Sequence, residues 1–77
     1  ISKSAWDLNQ IELMKLSPRE IDILQLLADG ASTTEAASLL NLSEYTVRDY
    51  ISQLMKRLNA RNRTEAVVKA MRLGYIH

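Results

Sequence analysis

Seven of the ten basic side chains in this 77-residue sequence lie from residue 44 onward: Arg48, Lys56, Arg57, Arg61, Arg63, Lys69 and Arg72, facing only Glu44, Asp49 and Glu65. Residues 1–43 reverse the balance, with Lys3, Lys15 and Arg19 against six acidic groups, so the net charge of +1 conceals two halves of opposite sign. Guanidinium and ammonium groups gathered in one stretch suit a polyanionic partner. The groups that bond-making chemistry needs are scarce. The single histidine is the terminal His77, there is no cysteine, and no glycine-rich phosphate loop occurs. The carboxylates fall at helix starts or on solvent-facing positions, so no nucleophile has a base, and neither an enzyme, a metal site nor a cofactor is expected.

A binding face needs a rigid support, and the composition allows one small domain. At 47% apolar and 25% charged residues, the chain has the balance of a soluble globular protein, with a core limited by burial of only about 60% of the unfolded surface. No apolar run approaches the roughly 20 residues of a membrane span, so no membrane partner is expected. The absence of cysteine and of a secretory start fits a cytoplasmic setting.

One proline, two glycines and no sustained β-type alternation predict an all-α protein. Ser17-Pro18-Arg19-Glu20 is a capping box with proline in the first turn, opening a helix whose apolar stripe is Ile21, Ile23, Leu24, Leu27 and Ala28 and which Gly30 ends. Ser32 with Glu35 opens a helix of about two turns, with Ala36, Ala37, Leu39 and Leu40 expected inward. Asn41 suits a left-handed turn, and Ser43 caps the next helix, which runs from about Glu44 to Leu58. There Val47, Ile51, Leu54 and Leu58 form one buried stripe flanked by Tyr50 and Met55. Tyr45, Arg48, Asp49, Ser52 and Lys56 occupy the opposite face. Asn62 with Glu65 is a third box, starting a last helix through about Leu73 that stops at Gly74, with Ala66, Ala70 and Leu73 as its core face. Residues 1–15 read as a linker or a short helix capped by Ser4 and Asp7 that presents Trp6, Leu8, Ile11 and Met14; residues 16–77 read as the domain.

The unit from Thr34 to Leu54, a short helix, a tight turn and a longer helix with polar residues outward at its start, has the form of a helix-turn-helix. Ala37 allows the two helices to approach, and Ala36, Leu40, Leu42, Val47 and Tyr50 frame the turn. The expected architecture is thus a compact four-helix bundle containing a helix-turn-helix.

These landmarks carry a family resemblance. Leu16-Ser17-Pro18-Arg19-Glu20, Leu24 with Leu27-Ala28-Asp29-Gly30, Ser32 with Glu35 and Ala37, Leu42-Ser43-Glu44 with Thr46-Val47-Arg48, Arg57-Leu58, Asn62-Arg63-Thr64-Glu65-Ala66 and Ala70 follow one another in order. Across residues 16–76 the chain resembles the DNA-binding effector domain of the LuxR/FixJ-type bacterial transcription regulators, which include many two-component response regulators. The resemblance implies sequence-specific binding of double-stranded DNA, with the third helix in the major groove and the fourth supporting a homodimer. RNA polymerase is a further partner of such a regulator, and any input domain is expected before Ile1.

Carried over residue by residue, the resemblance places Tyr45, Arg48, Asp49 and Ser52 at the base edges. Arg48 suits phosphate or a bidentate pair with guanine. Thr46, Lys56, Arg57, Arg61 and Arg63 are assigned to the DNA backbone. Two of these have a second reading: Thr46 as a maker of local helix-start bonds, and Arg63 as a buttress of the last helix through buried hydrogen bonds. Thr64, Val67, Val68 and Met71 are assigned to the dimer interface, the alternative being that Val68 completes the core and Met71 stands alone.

Two positions depart from the family pattern. Tyr50 stands where histidine is frequent, as an apolar replacement. Asp49 puts an anion on the reading face, which opposes phosphate unless it meets a cytosine amino group or a neighbouring cation. A sigma-factor promoter-reading domain shares the capped first helix and the Ser-Glu-x-Thr-Val-Arg entry, but the segment from Asn62 to Ala66 fits it less well. A protein-interaction antagonist on the same fold is the other alternative, and Arg48 discriminates against it.

Overall fold

A computed structural model describes residues 15–77, and the expectation of a short helix around Trp6 lies outside them. The described chain forms four helices: α1 (Pro18–Ala28), α2 (Thr33–Leu40), α3 (Glu44–Arg57) and α4 (Arg63–Arg72). No strand occurs among the described residues. Helix α1 packs on the other three, and α3 packs on α1, α2 and α4, so these two form the frame.

Each helix begins on the residue expected to cap it. Ser17, Ser32, Ser43 and Asn62 accept the N–H of the residue three positions on, at 3.2, 3.1, 3.1 and 2.8 Å. Such a bond removes one of the unpaired donors at a helix start. The first two are complete capping boxes, in which Glu20 and Glu35 accept from the Ser17 and Ser32 N–H groups at 2.8 and 2.9 Å. The expected third box is only half formed. Glu65 reaches one residue further back and accepts the N–H of Arg61 at 3.0 Å.

The four helix ends share a device that the sequence shows at three of them. Gly30, Asn41, Asn59 and Gly74 all have positive φ. In each case the following residue returns a backbone bond to a carbonyl five positions earlier: Ala31 to Leu26, Leu42 to Ala37, Ala60 to Met55 and Tyr75 to Ala70. This is the Schellman arrangement, which turns the chain sharply and directs the next residue back to the body of the protein. Ala31, Leu42, Ala60 and Tyr75 are accordingly all half-buried. Asn59 is the stop that the sequence reading did not single out.

The core comprises Leu16, Ile23, Leu24, Ala36, Ala37, Val47, Ile51, Leu54, Leu58, Ala66, Ala70 and Ile76. Two expected core residues are corrected. Leu39 is 69% exposed, because Ala36, Ala37 and Leu40 share one side of α2 and Leu39 lies about 100° round the helix from it. Leu73 is 49% exposed: it is the C-cap of α4, and after the reversal at Gly74 Ile76 fills the core in its place.

Asn41 sets the direction of entry into α3 from a left-handed conformation that costs most residues about 1–2 kcal/mol and that asparagine and glycine tolerate. Asn41→Ala is therefore expected to lower stability by about 1 kcal/mol, while Asn41→Gly leaves it within a few tenths. Urea unfolding of both variants followed by circular dichroism checks this, and equal losses would show that the φ of residue 41 is not the controlling term.

Candidate nucleic-acid interface

Helix α3 divides cleanly along its length. Val47, Ile51, Leu54 and Leu58 are buried, whereas Tyr45, Arg48, Asp49, Ser52, Gln53 and Lys56 are exposed on the other side. Tyr45 is 81% exposed, an unusual position for a large aromatic ring on a small domain. The stripe of aliphatic side chains thus fixes which way the polar residues point.

The start of α3 is tied to α2 by side chains. Thr34 donates its hydroxyl to Glu44 at 3.1 Å, and the same Glu44 oxygen lies 3.6 Å from the Arg48 guanidinium. Arg48 remains 69% exposed in that pair. Exposed ion pairs of this kind are worth no more than about 0.3–0.5 kcal/mol, so a phosphate or a base can displace Glu44 at small cost. Ser43 donates its hydroxyl to the Thr46 hydroxyl at 2.9 Å.

The expected backbone cations are in three different situations. Lys56 is exposed near the end of α3 and forms no ion pair among the described residues. Arg61 is held to Glu65 at 3.2 Å with its side chain 88% exposed, and Lys69 shares that carboxylate at 3.7 Å while donating to the Asn59 carbonyl at 2.6 Å. The Arg61 N–H and guanidinium hold the Glu65 carboxyl below its usual range, with Lys69 adding to the effect. Arg63 donates to the Thr33 hydroxyl at 2.9 Å, an exposed bond that joins the start of α4 to the start of α2. Arg48, Ser52, Met55, Arg61, Asn62 and Arg63 nevertheless line one open cleft of about 380 Å³. The structure therefore brings the outward face of α3 and the loop before α4 together into one basic surface.

Arg57 is the exception among the expected backbone contacts. Its guanidinium turns inward, donating to both oxygens of Glu20 on α1 at 2.9 and 2.8 Å and to the Lys15 carbonyl. Glu20 is the buried charged residue among the described residues, 7% exposed, and a carboxylate so placed requires a partner. In the structure Arg57 thus forms an ion pair that joins α3 to α1. Sequence reading placed Glu20 only in the capping box, and nothing in the local sequence signals that its second role lies 37 residues away.

Gln53 was also missed. It is exposed on α3 and donates to Asp49 at 3.0 Å, one helical turn back. On α4, Thr64, Val68 and Met71 are exposed and Val67 is half-buried. These four line a cleft of about 380 Å³ between α4 and the end of α1, with Leu27, Ala28 and Ala31 on the other wall. The residues assigned to a dimer interface thus do share one surface.

Comparison with known proteins follows the same lines. The family model described as "GerE: Bacterial regulatory proteins, luxR family" matches residues 14–70. The spore germination protein GerE of Bacillus subtilis (strain 168) is 42% identical over 59 residues, 77% of this chain and 80% of GerE. The transcriptional regulatory protein DesR of the same organism is 39% identical over 64 residues, which are 83% of this chain but only 32% of DesR. The chain therefore spans about a third of the length of that relative. Among solved structures, that of the transcription factor GerE superimposes with a TM-score of 0.79 at 37% identity, covering 80% of this chain and 92% of GerE.

The Glu20–Arg57 pair has a pH consequence. Burial raises the Glu20 carboxyl, but the Ser17 N–H, the Arg57 guanidinium and the Ser17 hydroxyl outweigh it and hold the group below the ordinary value of 4.5. A carboxyl lowered in the folded state contributes stability that is complete above its unfolded value and is lost as the pH falls through its folded value. Glu20→Gln is expected to cost about 2 kcal/mol at neutral pH and to flatten the loss of stability below pH 4.5. Thermal unfolding at a series of pH values checks this; a variant with the parent's acid profile would show that Glu20 is not the responsible group.

Proposed function

The chain belongs to the luxR family of bacterial regulatory proteins, as a helix-turn-helix DNA-binding domain of that family, and on that premise we propose that it is the effector domain of a transcriptional regulator that reads double-stranded DNA with α3 in the major groove. The observation that carries this reading is the division of α3. Tyr45, Arg48, Asp49, Ser52 and Lys56 take no part in the core, are exposed along one face, and follow a capped helix start that α2 supports through Thr34 and Glu44. A helix entering the major groove with its first turns against base edges needs that arrangement.

Within this reading Arg48 contacts a base edge or a phosphate, exchanging Glu44 for the nucleic acid. Thr46 donates to a phosphate, and Lys56 and Arg61, with the rest of the cleft at the start of α4, follow the backbone. Lys56 is the best placed of the cations because no carboxylate competes for it among the described residues. Binding as a homodimer to paired half-sites suits the surface of Val67, Val68 and Met71, which leaves apolar groups beside the end of α1. A cytoplasmic location and contact with RNA polymerase at the promoter follow from the same reading.

Arg48→Ala is expected to weaken binding to a selected duplex by about tenfold or more without change in helix content, as gel-shift titration and circular dichroism measure. Unaltered affinity would remove Arg48 from the interface and favour a protein-interaction role. Lys56→Ala is expected to weaken binding across all sequences and to reduce the slope of log K against log salt by about 0.9; an unchanged slope would mean that Lys56 meets no phosphate. Met71→Asp is expected to abolish cooperative binding to paired half-sites while sparing a single half-site, and footprinting that matches the parent would exclude that surface as the interface.

A further inference from the structure

We propose that Asp49, held in place by Gln53, selects a cytosine in the bound duplex by accepting a hydrogen bond from its exocyclic amine. The inference rests on the reading of α3 as a major-groove helix and goes beyond it by naming a base and the atom that is read.

Successive residues of an α-helix are about 100° apart, which places Asp49 almost diametrically opposite the buried stripe of Val47, Ile51, Leu54 and Leu58. It therefore stands at the centre of the exposed face rather than at its rim. An anion there opposes every phosphate it approaches, and the protein does nothing to cancel the charge. Arg48, its neighbour in sequence, is directed to Glu44, and no cation among the described residues forms an ion pair with Asp49. Its side-chain partner is Gln53, whose amide nitrogen donates to Oδ2 at 3.0 Å. That bond engages Oδ2 and leaves Oδ1 without a donor among the described residues.

An ionised carboxylate only accepts hydrogen bonds. Guanine and thymine present acceptors to the major groove and are repelled. Adenine offers an amine, but with the N7 acceptor beside it, a pattern that requires a donor and an acceptor together. Cytosine offers its N4 amine alone, the pairing that aspartate and glutamate make. Gln53 spends one amide N–H on Asp49 and acts here as a positioning residue, and the charge that weakens binding to other sequences sharpens the choice.

The test is selection of bound sites from a library of random duplexes by the parent chain and by the Asp49→Ala and Gln53→Ala variants, followed by titration of the parent's preferred site. The parent is expected to require cytosine at one position of the half-site. Asp49→Ala should lose that requirement, with a change of about tenfold in the preference, keep the preferences at other positions, and bind unrelated duplexes more tightly than the parent does. Replacing that cytosine by 2-pyrimidinone, which lacks only the exocyclic amine, should weaken the parent and leave Asp49→Ala unaffected. Gln53→Ala should reduce the cytosine preference several-fold without shifting it to another base. An identical set of sites for the parent and Asp49→Ala, or a shift at that position from adenine rather than cytosine, would overturn the inference while leaving DNA binding intact. A parent chain that selects no sequence would instead overturn the reading of α3 on which the inference stands.

Discussion

The rotational setting of α3 is the constraint on which the remaining structure depends. Four aliphatic residues at four-three-four spacing are withdrawn from water against α1, α2 and α4, and the removal of each from solvent favours that one orientation by roughly 1.5–3 kcal/mol. A rotation of one residue would expose part of the stripe and turn Arg48 or Gln53 inward, so the polar face has no freedom to wander. The axial position is held at both ends, by the Ser43 cap and the left-handed Asn41 at the start and by the Arg57–Glu20 pair near the finish. An exposed surface that performs recognition is thus positioned from the inside.

Charge is arranged around this frame in two layers. One layer is internal: Glu20 satisfies the Ser17 N–H and the Arg57 guanidinium together, linking the start of α1 to the end of α3. The other is external, where Glu44 and Glu65 hold Arg48, Arg61 and Lys69 through exposed pairs. Pairs in solvent are weak and exchangeable, which keeps these cations ordered without committing them. The excess of basic groups after residue 43 therefore overstates the number of free charges, since Arg57 and Arg63 already have partners within the fold.

The sequence showed most of the frame because its signals are local. Capping serines at 17, 32 and 43, proline at 18, glycines at 30 and 74 and the Val47–Leu58 spacing each act within a few residues, and the helices fall where they point. What was not legible depends on neighbours distant in sequence. Leu39 carries the same apolar signal as Leu40, and only the packing of α2 on its alanine face decides which of them is buried. Leu73 and Ile76 differ by the direction of the chain after Gly74. Arg57 was assigned to the DNA backbone from the family resemblance, and its pairing with Glu20 could be found only by bringing α1 and α3 together. On the candidate surface the residue types were readable, whereas the Thr34–Glu44–Arg48 and Gln53–Asp49 connections required coordinates.

Whether the exposed face of α3 meets the nucleic acid can be read by titrating the isotopically labelled chain with a selected duplex and following the backbone amide and side-chain NMR signals of each residue. Shifts are expected to concentrate on residues 44–56 and on the loop at 61–63, with the outer surface of α1 and α2 around Asp22, Leu26 and Leu39 unmoved. Shifts centred on that α1–α2 surface, with Tyr45, Arg48 and Ser52 unchanged, would contradict it.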